Sequence, residues 1–414
     1  MALFSDAITT HGGSGRRSML RAAERGQMGV SLAAAYGKLR RVPVEVSEAL
    51  LRGCTRALEG LAPPPDEPGL PASLSGFRGV VLDAQTIKGL ARRLTPTRGV
   101  PGGVLAGRGL MAMTLDAGLI VEMIASPDGY TNEAALLPEA MPRVRGAIPG
   151  PRLWIADRQF CYLVHMDEMD AAPGDAFVLR HRADLRFTPD PAIPAGRGVD
   201  ARGRVWRERW GTLRTRDRRR RVRLITLTRP GQESVRVVTS LLDGRCHPAH
   251  DILEAYLARW GIETVFQQIT EVFGLARLIG SSPQAAIFQL ALCATWYNVI
   301  QALKRIVAPG GPTPASAVSG ENLFDDVKRH LIACDVVVPL TRLAEALTPD
   351  PTPRALGQRL RTLLGPLWTP RWLRAPKTGR SRPPPRPRRQ RHHASAHRLI
   401  QKHNAKTKDP TTER

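Results

Sequence analysis

The chain has 414 residues, a net charge of +24 and only 5% aromatic residues. That length holds two or three domains with a sizeable core, and the charge points to a polyanionic partner, most simply nucleic acid. Cys54, Cys161, Cys246, Cys293 and Cys334 form no C-x-x-C pair, which argues against a disulfide framework or a zinc finger, and the scarce aromatics argue against a stacking platform for single strands.

The N-terminus lacks the charged start and apolar core of a secretion signal, so a cytoplasmic chain is expected. Residues 1–62 read as helices: 19–36 is Ala-rich, and 46–61 repeats Val46, Leu50, Leu51, Leu58 and Leu61 at helical spacing. Arg16, Arg17, Arg21, Arg25, Lys38, Arg40 and Arg41 give these helices either a DNA-end-binding surface or a solvated basic face. The run 62–71, APPPDEPGLP, cannot continue a helix and reads as a linker.

Strands are expected at 77–82, 110–115 and 119–124, the last two joined by the hairpin turn Asp116-Ala117-Gly118. The Gly-rich stretch 98–109 has no following helix and no Lys-Ser/Thr, so it reads as a mobile loop rather than a phosphate cradle. A short helix at 131–137, with Thr131 or Asn132 as its cap and Glu133 in its first turn, stops before Pro138. Asp116 and Asp128 read as turn residues. A fourth strand, 153–156, follows. Asp83 ends the first strand and Asp157 the fourth, and strand, strand, strand, helix, strand is the order of an RNase H-like core.

The 105 residues between Asp157 and Glu263 are too many for one connection and carry strands of their own at 176–182, 205–213, 222–228 and 234–239. A β-rich insertion is the natural assignment. Its turn bears Arg214, Arg216, Arg218, Arg219, Arg220, Arg221 and Arg223, charges that repel one another unless an anion such as phosphate neutralises them.

The stretch 255–273, AYLARWGIETVFQQITEVF, reads as one helix with Ala255, Ala258, Ile262, Phe266, Ile269 and Phe273 on a buried stripe. Tyr256, Arg259 and Glu263 run along its edge. Such a row is either a solvated Arg/Glu pair or an acid set beside a groove to hold a metal. Further helices are expected at 285–307, 322–333 and 339–346. The first contains Gln289, Asn298, Gln301 and Lys304 and reads as buried in protein rather than in a bilayer. The end, 371–414, has fourteen Lys or Arg against Asp409 and Glu413, which is half of the net charge, and is expected to be disordered.

The expected fold is therefore α/β: an RNase H-like core in two parts, 75–160 and 246–310, around a β-rich insertion, 161–245. A helical N-terminal region, 1–70, a helical C-terminal region, 311–370, and a basic tail, 371–414, flank it. Asp83, Asp157 and Glu263 converge in such a core. Three carboxylates raise one another's pKa unless cations neutralise them. Hard divalent ions do so, and two of them about 3.5–4 Å apart suit phosphodiester hydrolysis or transfer. The ions expected are two Mg²⁺, with Mn²⁺ able to substitute.

The segment 235–304 resembles the signature region of insertion-sequence DDE transposases of the IS-four family. The strand VRVVTSLLD is followed by Y-x-x-R-W-x-I-E, here Tyr256, Arg259, Trp260, Ile262 and Glu263. Upstream, Val81-Leu82-Asp83 and Ala156-Asp157-Arg158-Gln159-Phe160 resemble the family's first two acidic motifs. The resemblance spans roughly 75–305. It implies that Asp83, Asp157 and Glu263 are the catalytic metal ligands, that Arg259 contacts phosphate of the transposon end and that Tyr256 stands near its distorted terminal bases. Arg158, Trp260 and the loop residues Arg218, Arg219, Arg220 and Arg221 complete the expected DNA-contacting set.

One position departs from the pattern. The family has Lys or Arg seven residues after the Glu, and this chain has Thr270, whose hydroxyl can donate to a phosphate oxygen but brings no charge; Arg277, two turns on, is the expected substitute. The resemblance implies cut-and-paste transposition at terminal inverted repeats of double-stranded DNA, by a homodimer in a synaptic complex in the bacterial cytoplasm at the nucleoid. Two alternatives are an inactive descendant that occupies element ends as a repressor, and an RNase H-like nuclease that cuts without joining.

Overall fold

The fold comes from a computed structural model that describes residues 2–12, 14–90, 92–200, 202–228, 233–275, 280–337, 352–375 and 393–408. Val80, Val81 and Leu82 are all buried, which is the pattern of a strand covered on both faces. They lie in an interior strand of a large mixed sheet, β1 (Arg78–Lys88). On one side β1 pairs antiparallel with β2 (Gly103–Thr114), which turns through Gly118, at φ +62°, into antiparallel β3 (Ile120–Ser126). On the other side β1 pairs in parallel with β4 (Arg152–Ala156), which pairs in parallel with β5 (Ala176–Arg180).

The strands between Asp157 and Glu263 do not form a separate sheet. β6 (Arg186–Pro189), β7 (Gly196–Val199), β8 (Val205–Arg214), β9 (Arg219–Leu227) and β10 (Val235–Thr239) continue the same one, because β10 pairs with both β5 and β9. The run Ala176 to Leu179 is buried throughout, which marks β5 as an interior strand of the sheet.

Helices cover both faces. α4 (Val44–Leu61), α7 (Ala249–Ala258), α8 (Trp260–Glu271) and α9 (Pro283–Val307) pack over the face carrying Val81, Met111, Ile155, Val178 and Val237. α5 (Leu137–Ala147) and α6 (Leu163–Met169) cover the face of Val80, Leu82, Trp154 and Phe177. α4 thus belongs to the core: Thr55 on it donates to the Ile120 carbonyl at 3.1 Å, and Asn298 of α9 donates to Thr55 at 2.8 Å. α9 is long and apolar enough to cross a membrane, but 78% of its apolar window is buried inside the protein.

Several boundaries differ from the sequence expectation for local reasons. The helix expected at 19–36 is broken into α2 (Gly15–Glu24) and α3 (Leu32–Leu39), after α1 (Ala2–Thr9), because Gly26 turns the chain at φ +67° and Ser31 caps a new start. Pro138 begins α5 instead of stopping a helix, since its missing N–H falls in the first turn. The second half of the stretch 98–109 is strand. The segment 62–71 is tied down by buried Leu70.

After α10 (Gly320–Val337) and α11 (Pro353–Leu364), part of the basic end is ordered. β11 (His393–Ser395) adds in parallel to the start of β2, and α12 (Ala396–Lys408) follows. Tyr130 donates to the His393 carbonyl, and the carboxylate of Asp128 accepts from Ser395 at 2.7 Å and Arg398 at 2.8 Å. The expected disorder of 371–414 does not hold for 393–408, because an edge strand with free backbone groups binds it. Residues 339–346, expected as a helix, lie outside the described residues.

Candidate active site

The register of β1 and β4 sets the site. Leu82 lies opposite Ala156, so Asp83 and Asp157, one residue on, stand at the same level of two neighbouring parallel strands. Asp157 follows the end of β4, whereas Asp83, expected at a strand end, lies within β1, which its pairing with β2 carries on to Lys88. Neighbouring strands stand about 4.8 Å apart. Side-chain alternation then puts both acids on the face of Val81 and Ile155, beneath α8. Asp157 goes on to cap a single helical turn, its carboxylate accepting from the Gln159 N–H at 2.8 Å.

The helix expected at 255–273 is two helices, α7 and α8, bent at Arg259. Ile262, Phe266, Ile269 and Phe273 are buried as the stripe predicts, while Ala258 is exposed. The bend carries Arg259 inward to 4% exposure, where it donates to Asp83 Oδ2 at 3.2 Å and to Glu263 Oε1 at 3.2 Å. Glu263 itself is 60% exposed at its side chain, at the mouth of the site.

Burial pushes the Asp83 carboxyl up to about 6; Arg259 and the hydrogen bond from the Ala84 N–H pull the other way, and the negative charges of Asp157 and Glu263 add to the rise. A fourth acid belongs to this field. Glu133, at the start of the one-turn helix before α5, is pushed up to about 7, first by burial and then by Asp157, with Asp83 adding less and Arg108 opposing. Arg108 reaches Glu133 only at 4.0 Å, being held by Thr86 at 3.0 Å and the Thr131 carbonyl at 2.8 Å. A sequence signal is present, since Glu133 is the acid in the first turn of the short helix after the third strand, but that position is equally explained by the helix dipole.

The donor chemistry fits a hard divalent cation: carboxylate oxygens with more negative charge than Arg259 offsets. Among the described residues no three such side chains stand close enough together to hold an ion between them as they are. Mg²⁺ needs only one or two carboxylates besides water and phosphate oxygens, and Arg259 occupies the space between Asp83 and Glu263.

From Glu263 a cleft of about 650 Å³ runs along the end of β1, lined by Gln85, Thr86, Lys88, Gln267 and Thr270. A family model described as transposase DDE domain matches residues 75–299, a span that takes in all of these residues and the three acids. The chain belongs to the transposase DDE domain family. No curated protein matches it. Membership implies a nuclease or transposase acting on DNA and a divalent metal requirement.

The other residues expected at the DNA divide by exposure. Arg158 and Trp260 are at the surface. Tyr256 is 1% exposed and lies under Arg259, 5.7 Å from ring centre to guanidinium carbon, so it presents no face to a base in this arrangement. Thr270 spends its one proton on the Phe266 carbonyl at 2.8 Å and has none left to donate to a phosphate. Arg277 lies outside the described residues. Lys88, which sequence reading passed over, lines the cleft instead: the β1/β2 register shifts between Ile87 and Lys88, a local irregularity with no periodic signature.

The basic loop is partly neutralised from within. Arg218 and Arg220 pair with Asp167 on α6, and Arg220 also with Asp170. Arg221 stands 4.0 Å from Asp190, and Arg223 is buried against Glu208 and the Trp210 ring. Arg214, Arg216 and Arg219 remain exposed.

Proposed function

We propose that the protein is a cut-and-paste DNA transposase of the IS-four type, built on an RNase H-like core, which cleaves at the terminal inverted repeats of its element and joins the freed 3′ ends to target DNA. The observation that carries this reading is the pairing of Leu82 with Ala156, which sets Asp83 and Asp157 side by side, with Glu263 tied to Asp83 through Arg259. Asp83, Asp157 and Glu263 are the residues that would hold Mg²⁺, or Mn²⁺ in its place. Bound there, the metal makes a water or 3′-hydroxyl a stronger nucleophile and stabilises the leaving oxygen.

The chain's own groups do the rest. Arg259 keeps two acids in place while they lack other cations, and its guanidinium is the right fork for a backbone phosphate once those acids have another partner. Lys88 supplies the charge that Thr270 lacks, gripping the strand that lies in the cleft beside Glu263. Arg158, Arg214, Arg216 and Arg219 hold flanking duplex by charge alone, which positions without reading sequence. Two copies, each on one end, complete the reading.

The test is strand transfer. A pre-cut duplex bearing the element's terminal repeat is incubated with supercoiled plasmid and Mg²⁺, using the wild type and Glu263→Gln. Joined product from the wild type alone supports a transposase. Nicking or linearisation of the plasmid without joining favours the nuclease reading, and specific end binding with no product from either protein favours the repressor.

A further inference from the structure

Behind α8, on roughly the opposite face from Glu263, lies a second cavity, of about 500 Å³. Gly261, Thr264 and Gln268 of α8 line it on one side, and Gln301 and Lys304 of α9 on the other. Arg374, itself exposed, stands at its rim, its backbone N–H fixed to the Ala317 carbonyl at 3.1 Å.

The chemistry of this lining is lopsided. It holds two cations, Lys304 and Arg374, and no carboxylate. Lys304 is 5% exposed, and among the described residues its three N–H donors meet one recorded acceptor, Gln301 Oε1 at 3.2 Å. Burial pulls its ammonium down to about 8, and the nearby Arg374 pulls the same way; no carboxylate counters them. Lys304, Arg374 and Gln301 also line the adjoining cleft, whose acids include Asp66, Glu67 and Asp116; Asp116 and Asp66 act on Arg305, while Lys304 is shifted by burial and Arg374. A buried ammonium with a second cation facing the same space is stabilised by an anion between them.

We propose that the cavity between α8 and α9 is a phosphate-binding site, in which Lys304 and Arg374 take a phosphate group and Gln268 and Gln301 donate to its remaining oxygens. A phosphate group offers acceptors on every side, matching a lining of donors; Thr264 supplies one more hydroxyl. Because Thr264 and Gln268 stand on the helix that carries Glu263, an occupied cavity also braces the back of the active site. The inference does not rest on the transposase reading.

The experiment uses the full-length protein without divalent metal. Melting temperature is followed while inorganic phosphate replaces chloride at constant ionic strength, for the wild type, Lys304→Met, Arg374→Ala and Glu263→Gln. The wild type and Glu263→Gln are expected to rise with phosphate. Lys304→Met should melt at or above the wild-type temperature in chloride, because it removes a buried charge, and should respond at least tenfold more weakly to phosphate. A parallel titration with a duplex of arbitrary sequence separates the sources: if only duplex binding falls in Lys304→Met and Arg374→Ala, the site takes a backbone phosphate rather than the free ion. No phosphate response in the wild type together with unchanged duplex binding in both variants would overturn the proposal, as would an equal phosphate response in all four proteins.

Discussion

Arg259 and Asp83 face each other at 3.2 Å across the join of helix α8 and strand β1, and the same guanidinium holds Glu263 at 3.2 Å. The acid that membership of the family would have bind metal is thus paired with a cation from its own chain. Removing that cation leaves Asp83 buried and unpaired. Arg259→Ala is expected to cost about 3 kcal/mol of stability at pH 8. The loss should be much smaller at pH 5, where Asp83 escapes by taking up a proton. Urea unfolding at the two pH values checks this, and equal losses at both would count against the pairing.

Asp83 at about 6 and Glu133 at about 7 both lie above their ordinary values of 3.8 and 4.5. A carboxyl raised in the folded state contributes stability that is full below its unfolded pKa and is lost as pH rises through the folded one. Without divalent ions, the wild type should therefore lose stability between about pH 4 and pH 7. Asp83→Asn and Glu133→Gln should each flatten the profile, and adding Mg²⁺ should restore stability at the upper end in the wild type most of all.

Asp83→Asn, Asp157→Asn and Glu263→Gln are each expected to slow DNA cleavage by roughly 10³-fold or more, with end binding little changed, and a double variant should be no worse than a single one, because the acids act as a unit. Single-turnover cleavage of an end-bearing duplex measures it. Losses that multiply in the double variant would mean that the acids act independently.

Lys88→Ala tests the cleft. It should weaken binding of the end duplex and lower the slope of log affinity against log salt by about 1, as loss of one phosphate contact does. Thr270→Lys in the same background should restore part of the affinity, because both positions line the cleft.

The basic loop should split into two classes. Arg216→Ala and Arg219→Ala are expected to reduce duplex affinity at low salt and leave the melting temperature unchanged. Arg220→Ala should lower the melting temperature, since Arg220 ties β9 to Asp167 on α6 and to Asp170 at its C-terminal cap.

The sequence by itself determined the strands that bear the acids and the stripe on the helix above them. The buried runs around Val81 and Ile155, each ending in Asp, and the apolar repeat Ile262, Phe266, Ile269 and Phe273 are local patterns set by burial, and burial has a period that can be read from one chain. The turn at Gly118 is equally local. What only the tertiary structure decided depends on contacts between distant residues. β10 joins β5 across more than fifty residues, which puts the strands expected as a β-rich insertion into the same sheet as β1 and β4. β11 finds the free edge of β2 from the far end of the chain, where composition alone signals disorder. Arg259 has the sequence profile of a surface cation and is buried because Asp83, on another element, lies where its guanidinium reaches. Periodicity states which face of an element is covered. It carries no information about what covers it, and the partners of Arg259, Glu133, Lys88 and Lys304 come from that second fact.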